Sequence, residues 1–316
     1  MSDFVQQQNS ICDFSSADAW VILSPIEQSI KRKIEAVGTP LKEWDIQINY
    51  GIKTGFNDAF IISTEKRNEI LANCQTEEER QRTAELIRPI LRGRDIKRYG
   101  YNWANLWLIY IPWHFPYQFD DSIQGASEKA EKAFKEQYPA VYSHMLQYKE
   151  PLSKRNKAET GIRYEWYAMQ RWGAKYWDDF SKPKIVWAEL ARTGNAFAID
   201  FSKKMVGNTG YILTVDEDKE DLLYYLLGFL NSRVMLYCLN QITSRFDENG
   251  WRWLRQFVEQ LRIPRIQEIN SIANIARNAN SSNQTNFSKR INEEIARLYD
   301  LNENEQNYID EKLSGY

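Results

Sequence analysis

Residues 46–63 read IQINYGIKTGFNDAFIIS, and residues 87–111 read IRPILRGRDIKRYGYNWANLWLIYI. In the first stretch apolar and polar residues alternate in two bursts on either side of Gly51–Asp58, which predicts two short strands joined by a loop. In the second, Leu106–Ile111 is apolar enough to be a buried strand. Between the two, Thr76-Glu-Glu-Glu79 is a capping-box pattern, so a helix should run from there to about Ile87, before Pro89. Five cations (Arg88, Arg92, Arg94, Lys97 and Arg98) fall within eleven residues around Gly93, opposed only by Asp95. Cations gathered on a loop that strands hold in place suit contact with a phosphate backbone.

Working outward, 316 residues and 37.4 kDa can bury a sizeable core, in one large domain or two smaller ones. The composition, 43% hydrophobic and 27% charged, is that of a globular protein. Net charge is only −2, but it is unevenly placed: residues 1–30 carry −4 and residues 291–316 carry −5, leaving +7 between them. A whole-chain average therefore conceals a basic middle. Cys12, Cys74 and Cys238 are far apart, which predicts reduced thiols, a cytoplasmic setting and no structural zinc. No signal peptide is legible, and the most apolar stretch, Leu222–Leu230, is too short to span a bilayer.

Residues 20–37 carry apolar side chains at helical spacing up to Gly38 and read as an entry helix. Helices are expected over Glu128–Gln137, capped by Ser127, and from Pro139 to Lys149. Ile185–Leu190 and Ala196–Phe201 read as a hairpin turning at Arg192–Asn195, followed by a strand at Tyr211–Val215. Asp221–Ile242 is apolar nearly all round and reads as a central buried helix. Trp251–Leu261 reads as a shorter helix, Asn270–Asn286 as an Asn- and Ser-rich loop, and Asn292–Leu313 as an acidic helical tail. Strands and helices interleave without a βαβ rhythm. The expected class is α+β, with a mixed, curved sheet, flanking helices and a helical C-terminal tail.

Several motifs are candidates for contact with nucleic acid. The loop Gly51–Asp58 offers Lys53, Thr54 and Asn57 on glycine-freed backbone, although a plain turn would have the same spacing. It lacks the Gly-Lys-Ser/Thr ending of an NTPase phosphate loop. Residues 154–176 hold six bases and two acids among aromatic residues, including Arg155, Arg163 and Arg171. That mixture suits backbone and base contacts, and it equally suits tryptophans packed beneath arginine stems. The tips Arg192-Thr-Gly-Asn195 and Gly207-Asn-Thr-Gly210 present Arg192, Asn195, Asn208 and Thr209 on small turns.

The catalytic search finds little. His114 and His144 are the only histidines, with no partner at metal-ligand spacing, and there is no G-x-S-x-G or G-x-G-x-x-G. The Asn-Pro-Pro-aromatic tetrapeptide of amino-methyltransferases is also missing. Asp200 with Glu217 and Lys219 has the residue types of a metal nuclease, but the acidic run into a helix reads more simply as a solvated N-terminus.

In order along the chain, GIKTGFNDAFII, IRPILRGRDIKRY, KPKIVWAEL, YYLLGFLNS and IPRI resemble the TaqI-like C-terminal specificity domain. This is the target-recognition part of adenine-specific DNA methyltransferases and of type IIG restriction–modification enzymes. Residues 20–44 resemble the segment leading in from a methyltransferase domain, and residues 291–313 resemble the helical tail. The resemblance implies a linker over 1–45, a DNA-recognition domain over 46–266 and a linker with acidic tail over 267–316. It also implies double-stranded DNA as ligand, and a methyltransferase or nuclease domain, in cis or in trans, as partner. S-adenosylmethionine and magnesium would belong to those other domains, and an enzyme name would describe the parent protein of a bacterial defence system. Lys53, Thr54, Asn57, Arg92, Arg94, Lys97 and Arg98 would lie on the DNA side. A protein-docking scaffold remains the rival reading.

Overall fold

The computed structural model describes residues 23–314 apart from 193, 217, 244, 248–249, 266–268 and 280–283. Its contacts divide the chain into two compact units, and the class is α+β as expected. One unit comprises Ile46–Ala191 and Ala196–Leu223. The other comprises the described residues of Met1–Asp45, Arg192–Asn195 and Tyr224–Tyr316.

The first unit is built on two four-stranded sheets. The strands are β1 (Gln47–Tyr50), β2 (Ile61–Ser63), β3 (Ile87–Leu91), β4 (Leu106–Ile109), β5 (Lys184–Ala188), β6 (Phe197–Asp200), β7 (Met205–Val206) and β8 (Gly210–Thr214). The first sheet has the order β6-β5-β8-β1 and is antiparallel throughout. The second has the order β7-β3-β4-β2 and is mixed, because β7 runs parallel to β3. The chain passes from the second sheet to the first through Gly207–Gly210. It passes the other way beside that turn, where the Gly51 amide donates to the Gly210 carbonyl at 2.9 Å and the Ile52 amide to the Val206 carbonyl at 2.8 Å. At this crossing the backbones nearly touch. A Cβ on Gly51 would sit 2.0 Å from the Gly207 carbonyl oxygen, so only glycine fits.

Val186, Ile212, Ile90, Leu108, Met205 and Phe60 belong to one buried cluster with the aromatic helical layer. On β5 and β8, Trp187 stacks on Tyr211 with centroids 5.2 Å apart. The helices Glu128–Gln137 and Pro139–Leu146 form where the sequence predicted them, and Phe134, Tyr142, Tyr167 and Phe115 interlock beneath them. Thr76 caps Glu77–Leu86 by accepting from the Glu79 amide at 3.1 Å. The buried Glu79 carboxylate in turn accepts from the Gln75 and Ala140 amides, so it serves two helix starts.

The second unit begins with Pro25–Val37, capped by Ser24 and Glu27, and with the pairing of Gly38–Pro40 against Arg262–Pro264. Lys33 and Ser29 hold the buried Glu305 of the last helix, Glu303–Lys312. Three sequence expectations are corrected here. The expected single helix 221–242 is two helices, Glu220–Leu230 and Arg233–Ile242, bent by 69° where Ser232 caps the second. The Ser232 hydroxyl accepts from the Met235 amide at 3.1 Å, which satisfies a free donor at the new helix start. Trp251–Leu261 is a strand, Gly250–Arg252, and then one helical turn, Arg255–Val258. The supposed loop contains a helix, Asn270–Arg277, because Ile272, Ala273, Ile275 and Ala276 bury one face despite the asparagines. No single helix among the described residues is long and apolar enough to cross a membrane.

Candidate nucleic-acid interface

The crossing of the two sheets joins the loops that carry the candidate residues. Lys53 and Arg171 exchange two backbone hydrogen bonds, each 2.9 Å. One residue earlier, Ile52 bridges to Gly207, which opens the tip holding Asn208 and Thr209. Thr209 then holds the cationic loop, since its hydroxyl accepts from the Gly93 amide at 3.1 Å. A Cβ on Gly93 would meet the Thr209 carbonyl oxygen at 2.7 Å, so this glycine, too, is required by close approach. Arg171, Lys53, Asn208, Thr209 and Arg94 are thus linked, by backbone bonds and by the Thr209 hydroxyl, across segments far apart in sequence.

Their side chains meet different ends. Lys53, Arg94, Lys97, Asn57, Asn208 and Thr209 are exposed. Neither the Lys53 ammonium nor the Arg94 guanidinium meets a carboxylate among the described residues, and Lys97 donates to the Arg94 carbonyl at 3.0 Å. Arg92 grips Asp95 in a fork, with contacts of 2.7–3.2 Å, and the hydrogen bond to that carboxylate raises its pKa further. Asp95 also accepts from the Arg92 amide, so the one acid in the cationic run shapes the loop. Arg98 lies over the Tyr99 ring at 5.5 Å and Arg88 over Tyr110 at 5.1 Å.

Other expected contact residues lie inside. Thr54 is 3% exposed and donates its hydroxyl to Asn57 Oδ1 at 2.6 Å. Arg155 donates to the carbonyls of Thr54 (2.6 Å), Trp166 (2.9 Å) and Ala168, and burial pulls its pKa down to about 10. Asn195 is buried and donates to the Leu230 and Ser232 carbonyls, so it ties a helix junction in the second unit. Thr54 and Asn195 are buried and Arg155 half-buried, and all three side chains bond within the fold. Arg192 is exposed in that second unit. Arg163 and Arg171 share the Glu159 carboxylate at 3.2 and 3.0 Å, which lowers the Glu159 pKa chiefly through the Arg171 hydrogen bonds. Both guanidinium groups lie within 6 Å of the Trp113 ring, whose stacking partner is Tyr164.

Of the residues of the nuclease alternative, Asp200 is already engaged within the fold. That carboxylate is fully buried on β6 opposite Lys184 of β5, whose ammonium donates to it at 2.7 Å. It accepts further bonds from Tyr101, Ser202 and the Lys204 amide. Burial alone would raise its pKa. The charge and hydrogen bond of Lys184, with the hydrogen bonds of Ser202 and Tyr101, outweigh burial and hold it below the usual carboxylate range. Lys219 pairs with Asp216, and Glu217 lies outside the described residues. No group of three metal-ligating side chains occurs among the described residues.

Two features escaped the sequence reading. Lys203 is exposed, and Lys204 lies over Tyr101 and Trp103, adding cations beside the strand pair that follows Asp95. The dibasic pair in FSKKM was a signal that could have been noticed. The second is an open cleft of about 660 Å³, lined by Gln47, Asn49, Trp113, Arg171, Trp172, Gly173, Ala174, Lys175, Tyr176, Asp178, Asp179 and Lys182. Its residues come from three segments, so no local pattern announces it.

A family described as the TaqI-like C-terminal specificity domain matches residues 88–263. Type II methyltransferase M.MjaIV of Methanocaldococcus jannaschii is 20% identical over 225 residues, covering 70% of this chain and 66% of that protein. Type II methyltransferase M.BanIII of Aneurinibacillus aneurinilyticus is 26% identical over 129 residues, 40% of this chain and 22% of that protein. Among solved structures, the Type IIL restriction-modification enzyme MmeI in complex with DNA shares the fold at a TM-score of 0.56 and 13% identity, over 88% of this chain and 37% of that one. The chain therefore spans only part of each of these proteins. The family match covers more than half of the 316 residues, and the chain belongs to the TaqI-like C-terminal specificity domain family.

Proposed function

We propose that this chain recognises a short sequence in double-stranded DNA and presents it to a methyltransferase or nuclease domain in cis or in trans. The observation that carries the reading is the linkage of Lys53, Asn208, Thr209 and Arg94 through one crossing of the two sheets. Exposed cations from separate loops, fixed to one rigid framework, hold phosphates in register, while Asn208, Thr209 and Asn57 offer hydrogen-bonding groups to base edges. The complex of MmeI with DNA and the methyltransferase names of the relatives support the assignment. Thr54, Arg155 and Asn195 drop out of the contact set as supports, and Lys203 joins it. S-adenosylmethionine and metal chemistry fall to the partner domains.

The test is selection of bound duplexes from a random-sequence pool. Enrichment of one short motif is the expected result. Binding without an enriched motif contradicts sequence reading, and failure to retain any duplex favours the docking-scaffold alternative.

A further inference from the structure

Deepening the duplex-recognition reading and resting on it, we propose that Asn57 meets the duplex as a hydrogen-bond donor only, held that way by Thr54 as a positioning residue. Thr54 is 3% exposed, and its hydroxyl donates to Asn57 Oδ1 at 2.6 Å. That length fits an O–H···O bond and is short for N–H···O, so the amide oxygen, not the nitrogen, faces Thr54. Asn57 is exposed, and its Nδ2 has no hydrogen-bond partner among the described residues. An amide whose oxygen is tied inward leaves its N–H groups for an outside acceptor.

The backbone fixes both ends of this pair. The Thr54 carbonyl accepts from the Arg155 guanidinium at 2.6 Å and from the Gln170 amide at 3.2 Å. Gly55 follows at φ +81°, where a Cβ would meet Arg155 Cδ at 3.1 Å. Asn57 opens the turn Asn57–Phe60, in which Ala59 and Phe60 are fully buried and the Ala59 carbonyl accepts from His144 Nε2 at 3.0 Å. Asn208 and Thr209 are not committed in this way. The Asn208 amide has no partner among the described residues, and the Thr209 hydroxyl, accepting from Gly93, keeps its proton and a lone pair. Reading adenine with both ends of an Asn amide, on N6 and N7, needs the oxygen that Thr54 holds. The partner of Asn57 is therefore an acceptor, either a phosphate oxygen or a base acceptor such as guanine O6 or N7, and the cytosine amino group is excluded.

The experiment selects duplexes from a random-sequence pool with the full chain and with Asn57→Ala, Thr54→Val and Thr54→Ser. Affinities are then measured on the motif that the wild type enriches, or on the pool itself if none is enriched. Asn57 is exposed and valine keeps the volume of Thr54, and urea midpoints check that each variant is folded. Asn57→Ala should bind about tenfold more weakly and Thr54→Val about threefold, with Thr54→Ser restoring wild-type binding. A base acceptor shows as one relaxed motif position, and a phosphate as equal weakening of every sequence. Wild-type binding by Asn57→Ala or by Thr54→Val overturns the assignment and leaves duplex recognition standing. The assignment also falls if the relaxed position is an adenine whose replacement by purine, which lacks the 6-amino group, weakens the wild type but not Asn57→Ala. A wild-type chain that retains no duplex overturns both readings.

Discussion

The segments 88–98 and 154–176 carry five and six cations in the sequence, yet the structure treats them differently. In the first, Arg94 and Lys97 stay exposed and Asp95 is turned inward to shape the loop. In the second, Arg155 is drawn in to bind three backbone carbonyls, while Arg163 and Arg171 share Glu159. Lys184 goes furthest, being completely buried against Asp200. A cation count therefore measures charge written into the chain, not charge presented to a ligand. Interior cations act through the fold, the proposed function assigns the exposed ones to binding, and variants can separate the two roles.

The largest effect belongs to Lys184→Met. It leaves Asp200 as an uncompensated buried charge and should destabilise the chain by about 3–5 kcal/mol, read from the urea midpoint. Arg155→Met should cost about 2–4 kcal/mol, since it removes the donor from carbonyls that are hard to satisfy otherwise. If either variant kept wild-type stability, the division between supporting and presenting cations would fail.

The Asp200 pKa is lowered in the folded state, so its contribution is fully present above its unfolded value of 3.8 and lost as pH falls through the lower folded value. Stability should fall more steeply below about pH 4 in the wild type than in Asp200→Asn, which cannot titrate. Parallel acid-unfolding curves would contradict the assignment. The smallest stability changes are expected for Lys53→Ala, Arg94→Ala and Lys97→Ala, each within about 0.5 kcal/mol.

Much of this was legible in the residues. The strands around Gly51, the capped helix from Thr76 and the hairpin of β5 with β6 follow from local patterning, and the ordered motifs carried the family resemblance. The helix break at Ser232 was not legible, because a capping serine inside an apolar run matters only once the chain turns there. The helix Asn270–Arg277 was hidden by its asparagines, whose low propensity is overridden by one buried stripe. The site was only half visible. Loop charge is local information, whereas the approach of Gly93 to Thr209 and the burial of Arg155 depend on contacts between residues about a hundred apart. The cleft, assembled from three segments, has no local signature at all.

The most direct test of the central claim is the salt dependence of duplex binding by the wild type and by the triple variant Lys53→Ala, Arg94→Ala, Lys97→Ala. Each lost phosphate contact flattens the slope of log affinity against log salt by about 0.9. The account predicts a steep wild-type slope, flattened in the triple variant by roughly 2–3 with folding stability retained. Identical slopes for the two proteins would contradict it.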